Sequence, residues 1–330
     1  MTEGSRATAS PDLVSGAERG SRRRFLAGAG AIAAGALVPR PAIPVRAAAA
    51  ETPKLPQVPF GPHSMSRLIC GANPFSAGSH LSVFVNEEMR RYYTEEQILK
   101  TLRRCEEVGI NFWQAHGDHH KLYRRFREKG GTLKYLSLGC GSPGDPPIKA
   151  MAEAGCVAIA HHGEVTDGCF KSGEIEKVHE YLKRVRDAGL LAGVSTHMPA
   201  VVHEVESRGW DIDFYMTCVY ERHRSAADLE KLLGQAPIPV GEVYLPKDPP
   251  RMFEAIRGTK RPCLAFKILA AGRLSERKEW VEAAFRQTFE SIKPDDAVIV
   301  GIYDRYSDQP AECAELARRY GMPPPGSART

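Results

Sequence analysis

A regular alternation of short apolar segments and charged, helix-like segments runs through this 330-residue chain and limits its possible folds more than any other feature. Eight apolar segments are present, at residues 67–71, 111–115, 134–140, 156–160, 191–196, 212–219, 263–269 and 297–302. Short apolar runs separated by helices are typical of a parallel sheet. The alternative, a doubly wound open sheet, is disfavoured because no G-x-G-x-x-G turn follows the first strand. Eight strands therefore predict an α/β fold, a (β/α)8 TIM barrel.

The segments between the strands carry helix signals. In residues 94–109, Thr94 stands at the N-cap position, Gln97 completes a capping box, and a glycine closes the segment. Residues 173–189 repeat this pattern, with apolar residues at helical spacing. The sequences AAFRQTFESI and PAECAELARRYG predict two further helices near the C-terminus.

The first fifty residues have the pattern of an export signal. The sequence SRRRFL, with Arg22 and Arg23, precedes a weakly apolar run and four alanines at 47–50. This order predicts a twin-arginine signal peptide over residues 1–50, cleaved within 46–51. We therefore expect a periplasmic or extracellular protein that meets the twin-arginine translocase during export. The apolar run is too short to cross a membrane, so we expect no anchoring after cleavage.

The remaining chain divides into three parts. We predict a proline-rich, extended lead-in over residues 51–64, the barrel over residues 65–322, and a disordered tail over residues 323–330. Residues 1–50 hold seven arginines and three acids, so most of the formal net charge of +5 belongs to the signal. A nearly neutral mature chain does not indicate nucleic-acid binding.

Polar residues collect directly after the predicted strands, where the active site of such a barrel lies. The residues that we select at these strand ends are Gln114, His116, His119, Cys140, His161, Glu164, Ser195, His197, Lys267 and Arg305. We expect His161 to face the barrel mouth and the adjacent His162 to point the other way, because successive side chains of a strand alternate. A lysine within the apolar sequence AFKIL must reach the open mouth or find a partner, because an unpaired buried ammonium is costly.

Five phrases of the chain resemble the aldo-keto reductases, in order and in spacing. They are EEVGINFWQAH, CVAIAHHGE, AGLLAGVSTH, CLAFKILAAGRL and AVIVGIYD with the later PAECAEL. The resemblance implies a TIM barrel and carbonyl reduction by a nicotinamide cofactor, with Asp, Tyr, Lys and His at the site. At the matching positions this chain has Gln114, His119, a position near Cys140, and His161. Only the histidine is retained, and His119 is the candidate proton donor.

The same resemblance implies a cofactor site. Ser195 stands where a serine would hold the nicotinamide carboxamide, and Phe266 stands where an aromatic ring would stack on it. Gly301 and Arg305 lie in the phrase that resembles the final strand and its cofactor-binding helix. Arg305 is the local candidate for a 2′-phosphate, so the choice between NAD and NADP stays open.

Two enzyme classes are compatible with this set of residues. The first is an exported, divergent aldo-keto-reductase-like oxidoreductase that uses NAD(P)H on a small carbonyl or sugar-like substrate. The second is a metal-dependent hydrolase, lyase or isomerase on the same barrel, with Lys267 as acid or base. Its Zn, Mn or Fe would be bound by ligands from His116, His119, His161, Glu164 and His197. A non-catalytic barrel that binds a ligand is the third possibility.

Overall fold

The computed structural model describes residues 54–238 and 242–323. The predicted signal over residues 1–50 and nearly all of the predicted tail lie outside these ranges. Ten strands are found in the described residues. They are β1 (Gln57–Phe60), β2 (His63–Ser66), β3 (Leu68–Gly71), β4 (Phe112–His116), β5 (Lys134–Gly139), β6 (Cys156–His161), β7 (Leu191–Thr196), β8 (Phe214–Cys218), β9 (Cys263–Phe266) and β10 (Ala297–Gly301).

Strands β3 to β10 form a closed barrel, in which each strand is parallel to its two neighbours and β10 pairs with β3. The predicted (β/α)8 fold is confirmed, and each of the eight predicted apolar segments contains one barrel strand. The barrel interior is filled by inward-facing side chains, such as Ile69, Leu136, Phe214 and Leu264. A larger apolar layer lies between the strands and the surrounding helices.

Eleven α-helices are found in the described part of the chain. They are α1 (Val83–Tyr92), α2 (Glu95–Glu107), α3 (His120–Glu128), α4 (Ile148–Glu153), α5 (Gly163–Lys171), α6 (Glu176–Asp187), α7 (Pro199–Ser207), α8 (Ala226–Leu233), α9 (Asp248–Gly258), α10 (Lys278–Ser291) and α11 (Gln309–Tyr320). Short 3-10 helices span Asn73–Ser76, Gly117–His119 and Ala270–Gly272. None of the helices in the described ranges combines the length and the apolar character that a membrane span requires.

The N-cap predicted for α2 is confirmed, but the predicted capping box is not formed, because the side-chain amide of Gln97 bonds Tyr92 and Thr101 instead. The Thr94 hydroxyl accepts a hydrogen bond from the backbone N–H of Gln97, with 3.3 Å between the two atoms. This contact satisfies one of the N–H groups that the first helical turn leaves without a partner. The local sequence was sufficient here because donor and acceptor are three residues apart.

Strands β1 and β2 form an antiparallel hairpin within the segment for which only an extended lead-in was predicted. Phe60 of the hairpin contacts the rings of Phe112 and Phe214, with centroids 5.6 and 5.0 Å away. Phe112 and Phe214 begin β4 and β8, so the hairpin covers the N-terminal end of the barrel. The opposite end, where the strands finish, is the one that stays open.

Candidate functional site

A cleft of about 1470 Å³ lies at the C-terminal ends of the barrel strands. Its inner part is the barrel mouth, where the predicted residues Gln114, His116, Glu164, Ser195, His197, Phe266 and Lys267 line the surface. The cleft continues outward to Gly301 and to the first turn of α11. The structure therefore brings most of the residues selected from the sequence into one cavity.

The two adjacent histidines at the end of β6 face opposite sides, and the expected assignment has to be reversed. His161 is 2 % exposed, hydrogen-bonds Thr166 through Nδ1 at 2.8 Å, and packs against the ring of Tyr181 on α6. Ala158 and Ala160 occupy the barrel interior, so the next inward position along the strand is 162. His162, which we had placed on the outside, lines the cleft instead.

His162 is available to a ligand. Its Nδ1 is buried and has no hydrogen-bond partner in the described residues. Burial lowers the pKa of His162, so the ring is neutral at neutral pH. The ring of His116 stacks on it, with centroids 5.8 Å apart, and burial lowers the pKa of His116 as well. An unpaired buried ring nitrogen is costly, so a polar group of a bound molecule would stabilise it.

His197 is held in one orientation by a buried carboxylate. Asp167 Oδ2 lies 2.8 Å from Nδ1 of His197 and 3.1 Å from its backbone nitrogen, and Asp167 also accepts a hydrogen bond of 2.5 Å from Thr196. Burial lowers the pKa of His197 to about 4, although Asp167 acts to raise it. The imidazole is therefore neutral at neutral pH, and an Nδ1–H bonded to Asp167 leaves Nε2 as an acceptor.

Arg222 is a charged residue of the cleft that the sequence did not single out. Its side chain is only 3 % exposed and makes ion pairs with Glu164 through Nη2 and with Glu242 through Nη1. Its Nε is buried and has no partner among the described residues. Glu164 and Glu242 lie 58 and 20 residues away from Arg222 along the chain, so no local sequence motif indicates these ion pairs.

Both carboxylates of this cluster are kept ionised. The hydrogen bond from His223 and the charge of Arg222 hold the pKa of Glu164 well below its usual range. Burial alone would raise the pKa of Glu242, but the hydrogen bond from His80, at 2.7 Å, and the charge of Arg222 lower it to about 2. The charged groups at this side of the mouth therefore pair with one another.

Lys267 follows the last residue of β9 and lines the cleft. Its φ of 50° is in the left-handed region, which side chains with a Cβ seldom adopt. No hydrogen bond or ion pair of its ammonium is found among the described residues. Burial lowers the pKa of Lys267 to about 8, and the charge of Arg222 acts in the same direction. The amine is thus unprotonated in about one molecule in ten at pH 7.

Four of the selected residues do not line the cleft. His161 packs outward, as described above. His119 pairs with Asp118 at 2.9 Å and lies edge-on to the buried ring of Trp113. Cys140 lies in the loop after β5, with its Sγ 3.3 Å from Asp145 Oδ2. Arg305 pairs with Glu88 at 3.4 Å and lies over tyrosine rings.

The ligand set of the metal hypothesis is dispersed in the same way. His116, Glu164 and His197 line the cleft, whereas His119 and His161 pack against other parts of the barrel wall. Across residues 54–238 and 242–323, no three His, Cys, Asp or Glu side chains come close enough together to hold a metal ion. The geometry therefore does not favour the metal-dependent alternative.

Glycines and acidic residues shape the rest of the cleft. A Cβ on Gly163 would lie 2.9 Å from Ser195 Oγ and 3.1 Å from His197 Cε1, so the missing side chain leaves room beside them. A Cβ on Gly301 would likewise lie only 3.1 Å from Pro74 Cδ. Farther out, glutamates predominate in the lining, at Glu88, Glu276, Glu282, Glu312 and Glu315. Glu88, Glu282 and Glu315 are paired with Arg305, Arg319 and Arg318, whereas Glu276 and Glu312 have no ion pair among the described residues.

Comparisons with known proteins agree with the fold. No family model and no curated protein matches the chain. A protein from Pseudomonas aeruginosa described as an aldo-keto reductase has 14 % identity and a TM-score of 0.50, over 81 % of this chain and 93 % of its own. The holo form of aldo-keto reductase AKR11C1 from Bacillus halodurans has 14 % identity and a TM-score of 0.48, over 79 % and 90 % of the two chains.

A different class of enzyme resembles the chain to a similar degree. A truncated 3-deoxy-D-arabino-heptulosonate 7-phosphate synthase from Thermotoga maritima has 11 % identity and a TM-score of 0.45, over 81 % of this chain and 91 % of that one. At such identities a likeness speaks for the fold alone. The chain is a closed, eight-stranded parallel barrel with flanking helices, of the kind that the aldo-keto reductases have.

Proposed function

We propose that this protein is an exported, nicotinamide-dependent oxidoreductase that acts on a small carbonyl or sugar-like substrate. The observation that carries the proposal is one continuous cleft, which joins the polar barrel mouth, past Phe266, to the first turn of α11. Its volume of about 1470 Å³ exceeds the roughly 300–1,000 Å³ of a pocket for a single small ligand. The cleft therefore has room for a cofactor and a substrate together.

The inner cleft fits a nicotinamide ring. Phe266 offers an aromatic surface, Ser195 offers a hydroxyl, and Gly163 leaves the space beside Ser195 open. When bound there, the nicotinamide would supply or accept a hydride. This use of Phe266 and Ser195 is the one that the family resemblance implies.

The outer cleft fits the unphosphorylated cofactor, NAD(H), better than its 2′-phosphate form. Glu312 of α11 lines this part and has no ion pair among the described residues, and a carboxylate accepts hydrogen bonds from ribose hydroxyls but repels a phosphate. Arg305, the expected partner of a 2′-phosphate, pairs with Glu88 and is not part of the lining. Lys278, at the first turn of α10, is available for the pyrophosphate.

A residue of this chain supplies the proton that carbonyl reduction requires. Lys267 is mostly protonated at pH 7 because its pKa is about 8, and it donates a proton to the substrate oxygen during reduction. Neutral His162 and the amide of Gln114, both in the lining, orient that oxygen by hydrogen bonding. In this proposal Lys267 replaces His119 as the proton donor, and His162 replaces His161 as the histidine of the site.

The proposed location outside the cytoplasm depends on residues 1–50. The paired Arg22 and Arg23 support export through the twin-arginine translocase, which transports folded proteins. That route would allow the cofactor to be bound before export. The substrate would then be met in the periplasm or outside the cell.

Cofactor binding tests the proposal directly. The fluorescence of NADH and NADPH is titrated with the purified full-length protein, up to about 1 mM, the upper end of common KM values. We expect NADH to bind and NADPH to bind at least tenfold more weakly. Phe266→Ala should weaken NADH binding, whereas Phe170→Ala, a matched change of a half-buried ring outside the cleft, should leave it unchanged.

Two results would contradict the proposal. Unchanged fluorescence over the whole titration, with no increase in melting temperature, would exclude a nicotinamide site. Equal loss of binding in Phe266→Ala and Phe170→Ala would show that the cleft is not the place where the cofactor binds.

A further inference from the structure

Lys267 differs from Lys293, another half-buried lysine of the described barrel, in having no hydrogen bond or ion pair. The ammonium of Lys293 is 11 % exposed and is held by Asp296 at 2.9 Å and by the carbonyl of Ile256 at 2.8 Å. Such contacts are what a buried cation needs in order to remain charged. Lys267 has no such hydrogen bond or ion pair among the described residues, although it lines the cleft of about 1470 Å³.

The backbone around Lys267 is strained at three positions. Lys267, Ala270 and Ala271 have φ values of 50°, 48° and 51°, although none of them is a glycine. Such conformations are energetically costly for residues with a Cβ, and positions of this kind cluster at functional sites. The turn thus holds the lysine at the end of a barrel strand, between Phe266 and Ile268.

We propose that the ε-amino group of Lys267 acts as a nucleophile toward small aldehydes and ketones in the cleft and forms an imine with them. The site would then activate the carbon next to the carbonyl group, as in aldol cleavage or proton exchange, in addition to the reaction proposed above. The inference rests on the proposed function only in taking a carbonyl compound as the ligand.

The protonation state of Lys267 supports this use. An ordinary lysine with a pKa of about 10.4 is unprotonated in roughly one molecule in 2,500 at pH 7, whereas a pKa of about 8 gives roughly one in ten. Burial is the main cause, and the charge of Arg222 adds to it. Glu164 and Glu242 act in the opposite direction, but both are paired with Arg222. Lysines desolvated in this way are the ones that form imines.

The other titratable groups near Lys267 do not compete for its proton. The Cys218 thiol is buried on β8, and burial raises its pKa to about 11, so it is uncharged at neutral pH. The neutral ring of His197 carries its proton toward Asp167. The amine thus faces the cleft among uncharged or already paired groups.

The reaction balances without any further reagent. The nitrogen lone pair forms a bond to the carbonyl carbon, the C–O π bond breaks, and the oxygen takes up the proton that the nitrogen releases. The hydroxyl then leaves as water, after protonation, as the C=N bond forms. No oxidant or reductant is needed, and the open cleft supplies the water that reverses the step.

Reductive trapping tests the proposal on the unmodified protein. The full-length chain is incubated with dihydroxyacetone and sodium cyanoborohydride, which reduces an imine to a stable amine, and the adduct is located by peptide mass spectrometry. We expect one adduct per chain on Lys267. At pH 7 its yield should exceed that on any other lysine at least tenfold, and the labelling rate should increase as the pH rises through about 8.

Lys134 provides the matched control, because it is a half-buried lysine of strand β5 that does not line the cleft. Lys267→Arg should abolish the adduct and Lys134→Arg should leave it. Labelling spread evenly over surface lysines, or an adduct that persists in Lys267→Arg, would overturn the proposal. The mapping of the wild-type protein decides the question even if a variant fails to fold.

An NADH titration of the same preparation distinguishes failure of the imine proposal from failure of the proposed function. NADH binding without trapping would refute the imine alone. Trapping without NADH binding would refute the oxidoreductase and leave a carbonyl-binding lysine.

Discussion

Lys267 lines the cleft with an amine whose pKa is lowered to about 8, and under the proposed function this should appear in the pH dependence of turnover. Reduction needs the protonated amine, so its kcat/KM should decrease as the pH rises through about 8. Oxidation of the corresponding alcohol needs the unprotonated amine, so its kcat/KM should increase over the same range. Steady-state rates in both directions between pH 6 and pH 10 measure the two profiles.

A variant identifies the group responsible. In Lys267→Met both rates should decrease by about a hundredfold, the lower end of what a positioned acid or base contributes, and the dependence near pH 8 should disappear. Profiles in Lys267→Met that keep the same shape as in the wild type would assign the titration to another residue.

The opposite orientations of His161 and His162 predict opposite effects of substitution. His162 lines the cleft with an unpaired nitrogen, so His162→Phe should lower kcat/KM for carbonyl reduction at least tenfold. His161 packs against Tyr181 outside the barrel, so His161→Phe should leave kcat/KM within about twofold of the wild type. Comparing the two variants at pH 7 provides the test, and a larger loss in His161→Phe would contradict the assignment.

At the scale of elements, the β1–β2 hairpin contributes stability at the N-terminal end of the barrel, opposite the cleft. Phe60 is 2 % exposed and its ring meets two others, so Phe60→Ala should lower the free energy of unfolding by about 3 kcal/mol. Urea denaturation measures the change. Because the cleft is at the opposite end, kcat of the folded fraction should not change.

A residue of the same hairpin serves as the control. Ser64 is exposed on β2, and Ser64→Ala should shift the unfolding free energy by less than about 0.5 kcal/mol. A loss in Phe60→Ala no greater than that in Ser64→Ala would mean that the hairpin is not anchored on the barrel core.

At the scale of the whole molecule, two buried histidines make the fold sensitive to acid. Burial lowers the pKa values of His161 and His197 to about 4, below the 6.5 of an unfolded histidine. Their contribution is complete above pH 6.5 and is lost as the pH falls through about 4, because the unfolded chain then binds protons that the folded chain resists. Each could remove up to about 3 kcal/mol of stability over this range.

Urea denaturation at pH 7 and pH 4.5 measures this loss. The difference between the two values should be smaller in His161→Phe than in the wild type, because one of the titrating groups is gone. His203→Gln, at an exposed histidine, should keep the wild-type difference. An unchanged difference in His161→Phe would show that other groups cause the sensitivity to acid.

The proposed export also belongs to the scale of the whole chain, and we expect it to depend on the paired arginines. Replacing both Arg22 and Arg23 by lysine should retain the protein in the cytoplasm, whereas Arg24→Lys should not. Cell fractionation with an antibody to the mature chain measures the distribution. Equal export of both variants would exclude the twin-arginine route.

Much of the barrel could be predicted from the sequence because its signals are local. A strand buried on both faces must be continuously apolar, and the eight segments that fit this description each contain a barrel strand. The N-cap of α2 could be predicted for the same reason, because Thr94 and Gln97 are neighbours in the same turn. The hairpin was missed because proline and exposed polar residues in 51–64 conceal the alternating buried positions of β1.

The residues that line the cleft could be predicted only in part, because the lining depends on contacts between distant segments. Gln114, Ser195 and Lys267 could be selected from their places after the strands. The orientation of His162 was decided by the inward positions of Ala158 and Ala160, and a one-residue shift along a strand reverses the face. The sequence by itself determined the barrel and the end at which its polar residues gather. Only the tertiary structure decided that Arg222 pairs with Glu164 and Glu242, because charges far apart in the chain meet only when the barrel closes.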